Sequence, residues 1–467
     1  MPSVKKNHET GSLRKIQKST WVFIAVIFLG SLLHSFTSVK YSAVDVQDEL
    51  IYMDYLIKAS HFELGQFGDR YSAETVDEVC WRNGQIDHPS VPTDYSEQCN
   101  AEDPVAKFGT NNGGTPRPVY FVTTGAVSRF IDTALSLLGL DISVVTIART
   151  LGGAWFGLGG LLTFFIVRRL GKRTDLVGPL CLGVAGLQSV MHEHTIINAD
   201  ASSFALGALM VLVTLRFIQG ASKLPTLLGT GVFAGLATNH HLVILCACTA
   251  FLFFSIFTRD EKTNSWAISR NALKGFVAVL TAAAFTVIGY GKFALPLFRG
   301  ILYGTPDTDT TQVSLDLAQM YATSGFQWFR TFSAENMVRF LVPASDNFLP
   351  AHRIGGPYQT AAWLMSTLLA GGVISALLAT HDNRVVRKFA GAHCFAALVM
   401  PVAFITYWNW NGVNDGVLGR FGLSGLSILI MASSFAFADQ KMSRYIVWCV
   451  CVLSFAAAGL TNFVDFV

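Results

Sequence analysis

The chain has 467 residues, of which 51% are hydrophobic and only 14% charged, with a formal net charge of +3. Soluble globular domains carry about a quarter charged residues, so a water-soluble enzyme of this length is excluded, and so small a positive balance excludes nucleic acid as a partner. Apolar runs near the roughly 20 residues that cross a bilayer recur from one end to the other, which reads as an all-α polytopic membrane protein without a large separate soluble domain.

Residues 1–20 form a basic segment with Lys5, Lys6, Arg14, Lys15 and Lys18, followed by an apolar run over 21–39. That run is long for the apolar part of a secretory signal, so it is read as a first transmembrane helix with a cytoplasmic N-terminus. Cleavage at Ser42-Ala43 is the alternative. Residues 40–142 then form a large, predominantly acidic extracytoplasmic loop. In it Ser42-x-x-Asp45 has the pattern of a helix start. Helical spacing beyond it sets Asp45, Asp48, Tyr52 and Tyr55 along one stripe and Glu49, Met53 and Leu56 along the next. Two readings of the Asp48-Glu49 pair stay open: solvated charges at a helix N-terminus, where the macrodipole favours carboxylates, or an acid/base or cation-holding group at the membrane surface.

Cys80 and Cys99 are the two cysteines of this loop, and a disulfide between them is predicted in an oxidising compartment. The other six lie in apolar runs. Cys246-x-Cys248 and Cys449-x-Cys451 lack metal-site partners and read as small apolar residues. The moderately apolar stretch 118–140 decides the topology. Were it to span, Arg168, Arg169, Lys172 and Arg173 would fall outside, against the positive-inside rule. It is therefore read as an interfacial amphipathic helix with Arg129 and Asp132 among the headgroups.

Residues 143–298 hold transmembrane helices two to seven, near 143–167, 176–192, 201–219, 225–239, 241–257 and 272–297. A second extracytoplasmic loop follows over 299–357. Residues 358–467 hold the last four, near 358–379, 389–408, 418–437 and 445–463, for about eleven in all. This count puts Lys223, Arg259 to Lys262, Arg384, Arg387, Lys388, Lys441 and Arg444 inside, as the rule requires. It leaves the turns at His192 to Asp200, Asn239 to His241 and Asn409 to Gly416 on the outer side with both loops.

Asp48-Glu49, Tyr52, the Gly65-Gln66-Phe67 turn and Pro116-Arg117-Pro118-Val119-Tyr120 before an interfacial helix together resemble the GT-C superfamily of integral-membrane glycosyltransferases. Arg149, Gly231-x-x-x-Gly235-Leu236-Ala237 and Gly419-Arg420-Phe421 extend the likeness. Protein O-mannosyltransferases, aminoarabinose transferases and actinobacterial envelope glycosyltransferases are the similar types. The chain departs from them at Asn239, His240 and His241, where a Lys is common. The resemblance implies a GT-C-like fold and transfer of a sugar from a polyprenyl-phosphate-linked donor to a glycan, lipid or protein acceptor. The site would lie on the extracytoplasmic side of a bacterial plasma membrane or a eukaryotic ER membrane, among membrane lipids.

On that reading Asp48 is the general base and Glu49 its catalytic partner, while Tyr52, Arg149, Asp200 and Arg420 bind substrate. Arginine suits a lipid-linked phosphate because its planar fork donates two charge-assisted hydrogen bonds. Glu193 and Asp200 are candidates, with Asp48, to orient a hydroxyl or hold a divalent cation such as Mg or Mn, since hard cations prefer oxygen ligands; Asp200 reads equally as a helix cap. His192-x-His194 is a weak metal pair, because on a helix its rings point about 200° apart. The competing class is a secondary transporter or a lipid or oligosaccharide flippase, which would place coupling charges near the bilayer midplane.

Overall fold

A computed structural model describes residues 18–40, 47–65, 68–84, 95–111, 117–171, 174–259, 266–294, 341–342, 356–379, 384–410 and 419–464. The chain is an all-α polytopic membrane protein. Among the described residues seven helices are long and apolar enough to cross a membrane, and three shorter apolar helices, Phe23–Ser35, Leu224–Gly235 and Gly422–Phe437, accompany them.

The helices in chain order are α1 (Lys18–Lys40), α2 (Gln47–Ser60), α3 (Ala73–Gly84), α4 (Ser96–Cys99), α5 (Pro104–Phe108), α6 (Pro118–Ser136), α7 (Val144–Arg169), α8 (Val177–Ala185) and α9 (Gln188–Thr195). They continue with α10 (Ser203–Ile218), α11 (Leu224–Gly235), α12 (Leu242–Ile256), α13 (Arg270–Ala284), α14 (Gly356–Leu378), α15 (Arg384–Trp410), α16 (Leu426–Phe437) and α17 (Lys441–Val464). Tight 3-10 turns at Ala199–Ser202, Asn239–His241 and Gly419–Gly425 lead into α10, α12 and α16, and a π-helical stretch, Phe285–Ala294, extends α13. A short antiparallel pair, β1 (Phe257–Arg259) with β2 (Trp266–Ile268), joins α12 to α13.

Among the described residues each apolar segment read from the sequence is mainly helical, and one is broken in its middle. The stretch expected at 176–192 breaks at Gly186 and Leu187, where α8 ends and the extended backbone of Leu187 begins α9. A Cβ at Gly186 would press on the Ser454 and Phe455 backbone of α17, so the break sits where two helices come closest. Local signals set the other boundaries. Ser143 and Ser269 cap α7 and α13 by accepting from Thr146 and Ala272 backbone N–H groups, and prolines open α5 and α6.

Two cores stack end to end. The larger fills the helix bundle, with Phe251 of α12 stacked on Phe389 of α15 at 3.7 Å between ring centroids. Helix α1 closes on α7 through small residues: added Cβ atoms at Gly153 and Gly157 would collide with Ser31, and one at Gly160 with Ile27. The smaller core belongs to the first loop. Met53, Tyr55, Leu56, Val79, Tyr120 and Phe121 pack there with Val145 and Ala148 of α7, Ile197, and Ala234 of α11. The loop thus sits on one end of the bundle as a lid of five helices, α2 to α6.

Candidate functional site

The lid is organised by a carboxylate that no sequence motif marks. Asp54, fully buried on α2, accepts from the Ser72 backbone N–H at 3.0 Å, Thr75 Oγ1 at 3.1 Å and Asn111 Nδ2 at 3.1 Å, and pairs with Lys58 at 2.8 Å. The predicted Cys80–Cys99 disulfide is present and joins α3 to α4. Glu49, Met53 and Leu56 are buried in this core and so is Tyr55 of the next stripe, while Tyr52 on that stripe is half-buried with its ring 5.9 Å from Phe121. Hydrophobic partners on α6 and α7 bury α2 on more than one side, and Glu49 goes inward with it.

Glu49 is accommodated there by Arg149 of α7. Arg149 Nε and Nη2 lie 2.8 and 2.7 Å from Glu49 Oε1, which also accepts the Ile197 backbone N–H at 3.0 Å. Arg149, expected to bind substrate, has a carboxylate partner in the structure, as a charge this deep requires. Arg82 of α3 lies beside it, bound to Glu78 at 2.6 Å and to Thr146 Oγ1 at 2.8 Å. Burial first, and then the neighbouring Arg149, hold the Arg82 guanidinium below its ordinary value.

From Ile197 the polar groups continue without a gap. Asn198 caps the following turn by accepting from the Asp200 N–H at 3.0 Å, and its Nδ2 donates to Glu193 at 2.5 Å. The cap of this turn is Asn198, while the Asp200 side chain faces His240. His240 Nδ1 lies 2.7 and 2.8 Å from the two Asp200 oxygens, with Thr238 Oγ1 at 3.3 Å and Ser203 Oγ at 3.5 Å completing the shell. Next to His240, Asn239 accepts from Arg117. Tyr120 bridges lid and bundle beside Asn198. Burial raises its phenol above the ordinary range, the Asn198 backbone bond opposes, and the charges of Glu49 and Glu193 add to the rise.

Glu49, Arg149, Glu193 and Asp200, distant in sequence, therefore meet at the lid end of the bundle. The backbone of Asp48 lies in the first turn of α2 and that of Arg420 in the Gly419–Gly425 turn; both side chains lie outside the described residues, as do Ser42, Asp45 and most of 299–357. Residues 188–195 are helical, so His192 and His194 diverge, and His194 Nδ1 binds the Val190 carbonyl oxygen at 2.6 Å. Among the described residues no three His, Cys, Asp or Glu side chains group closely enough to hold a metal ion.

Helix α6 packs on α2 and α7, with Phe130 on it and Leu137 and Leu138 just past its end exposed. Between α6 and α7 a groove of about 270 Å³ runs from Thr123 and Thr124 past Trp155 to Leu158. Arg117, Tyr120 and Asp54 carry much of this geometry. Of these, only the Pro-Arg-Pro-Val-Tyr run stands out in the sequence, without a role for its arginine. No family model matches this chain, and no curated protein matches it either.

Proposed function

We propose that this chain is a GT-C-type membrane glycosyltransferase with about eleven transmembrane helices, moving a sugar from a polyprenyl-phosphate donor to an acceptor hydroxyl at the extracytoplasmic surface. The observation that carries the reading is the Glu49–Arg149 pair, which pins the first turn of α2, and with it the backbone of Asp48, to the end of a membrane-crossing helix. A lipid-linked donor needs such an address, at the level where its phosphate emerges from the hydrocarbon. The groove beside α6, apolar along α7 and polar at Thr123 and Thr124, suits a chain ending in a polar head.

In this mechanism Asp48 takes the acceptor hydroxyl proton, a role worth typically 10² to 10⁴ in rate. The hydroxyl oxygen attacks the anomeric carbon, and the electron pair of the breaking bond goes to the phosphate oxygen. Tyr52 and Arg420 are assigned to substrate binding, while Glu49 and Arg149 act as positioning residues. The test is release of polyprenyl phosphate when the purified protein meets a polyprenyl-phosphate sugar and a mixed acceptor extract. Wild type should release it and Asp48→Asn should lose at least about a hundredfold; equal rates would remove Asp48 as the base.

A transporter is the second reading, favoured by one feature. The broken pair α8 and α9 and the 3-10 turns that lead into α10, α12 and α16 gather at one place, as discontinuous helices do around transported substrates. It predicts flux across vesicles without phosphate release.

A further inference from the structure

Helix α12 leaves the lid end of the bundle at the Asn239–His241 turn and runs about 22 Å to its far end, at the rise of an α-helix. There it meets the start of α15 in a fixed register. Phe389 stacks on Phe251, and Lys388 Nζ donates to Ser255 Oγ at 3.4 Å.

The cations at this start share one face of α15. Arg384, Arg387 and Lys388 are spaced i, i+3 and i+4, so their side chains are neighbours on the helix surface. Phe395, Leu398 and Val399 continue the same face at i+7, i+10 and i+11 from Lys388. All three are exposed, whereas Ala392, Ala396 and Ala397 around them are buried. The face is therefore cationic at the end of the bundle and apolar along the helix beneath.

Arg387 and Lys388 are half-buried. Among the described residues no carboxylate pairs with either, and Arg387 donates to no protein group. The charges that act on Lys388 are those of Arg384 and Arg387, of its own sign. Like charges at this spacing repel, and an anion placed against them relieves the repulsion. A small soluble anion would answer the cations alone. A lipid with an anionic headgroup answers the apolar part of the face as well.

We propose that this face of α15 seats an anionic glycerophospholipid, its phosphodiester against Arg387 and Lys388 and an acyl chain along Phe395, Leu398 and Val399. The guanidinium offers a planar fork of donors and the ammonium a point charge, and basic recesses beside membrane helices take lipid headgroups in this way. The three apolar residues lie about 10 to 17 Å from Lys388 along the helix axis. That matches the roughly 15 Å of hydrocarbon in one leaflet. The seat is at the end of α12 remote from the lid and does not depend on the transferase reading.

The test takes the full chain from nanodiscs of mixed phosphatidylglycerol and phosphatidylcholine into detergent and identifies the retained lipid by mass spectrometry. Wild type should retain phosphatidylglycerol over phosphatidylcholine by at least about tenfold, the factor expected of one charge-assisted hydrogen bond. Arg387→Gln and Lys388→Gln should each remove about that factor. Lys274→Gln takes the same charge from an exposed position on α13 and should leave the preference unchanged. Should Lys388→Gln fail to fold for want of its bond to Ser255, Arg387→Gln still reads the seat. Equal losses in all the variants would reduce the effect to the general positive potential of this end of the bundle and overturn the seat. A wild type that retains both lipids alike would overturn it too. Inorganic phosphate that displaces phosphatidylglycerol from wild type would overturn the lipid assignment in favour of a free anion.

Discussion

Glu49 and Arg149, 100 residues apart in sequence, form an ion pair at 2.7 Å with essentially no solvent exposure on either side chain. It is a buried ionic tie between lid and bundle, and its consequences are measurable. Removing one partner leaves the other charge buried alone, at a cost of about 3–5 kcal/mol, whereas replacing both with apolar groups of similar volume is often close to neutral. Glu49→Gln and Arg149→Met should each lower the unfolding midpoint in detergent sharply. The double substitution Glu49→Leu with Arg149→Met should recover most of the loss, and additive losses would show that the two do not act as a pair.

This pair also marks where sequence reasoning stopped. Apolar length alone located α1, α7, α10 and α12 to within a few residues, because a run long enough to span a bilayer is a nearly sufficient signal. The charge on Arg168 and Arg169 gave α6 its expected interfacial place, and α6 is not among the helices long and apolar enough to cross a membrane. Asp48 and Glu49 stood out as a carboxylate pair, but that Glu49 turns inward depends on partners that only the fold supplies. Glu49's partner lies on another helix, and Asp54's partner Asn111 lies 57 residues away. His240 was visible only as one of two adjacent histidines. Its meaning comes from Asp200, brought beside it by the separate turns that start α10 and α12.

The Cys80–Cys99 bridge closes a loop of 19 residues in the lid, with its ends on α3 and α4. Chain-entropy arguments give about 3 kcal/mol for a loop of this length. Cys80→Ser with Cys99→Ser should speed protease nicking in residues 80–111 while leaving cleavage of the bundle unchanged. Equal nicking rates would mean the lid holds itself without the bridge.

Acid should loosen the contact between α3 and α6. Glu74 meets Arg129 at 2.7 Å and His61 at 2.9 Å. Burial pushes its carboxyl upward, but the bonds from His61 and Arg129 outweigh this and hold it below its ordinary value of 4.5. A carboxylate lowered in the folded state contributes stability above its unfolded value and loses it as pH falls through the folded one. The contribution is therefore complete at neutral pH and is lost progressively below about pH 4.5. Hydrogen exchange of α3 should rise as the pH falls through this window, beyond the intrinsic pH dependence of exchange, and Glu74→Gln should flatten that excess. An excess of the same slope in the variant would assign it to other groups.

Two glycines in apolar helices should respond in opposite directions to the same change. In α7, a Cβ on Gly152 would overlap the carbonyl oxygen of His194, and the obstacle is backbone, which cannot rotate away. Helices α7 and α9 would have to separate, disturbing the segment that presents Ile197 to Glu49, so Gly152→Ala should cost at least about 1–3 kcal/mol, as overpacking does. In α11, a Cβ on Gly229 would meet nothing within 4 Å. Gly229→Ala finds open space and removes the helix penalty of glycine, so it should gain up to about 1 kcal/mol. Unfolding of the two single variants in one detergent, at fixed protein concentration, reads both signs. A Gly152→Ala protein as stable as wild type would mean that α7 does not approach α9 this closely.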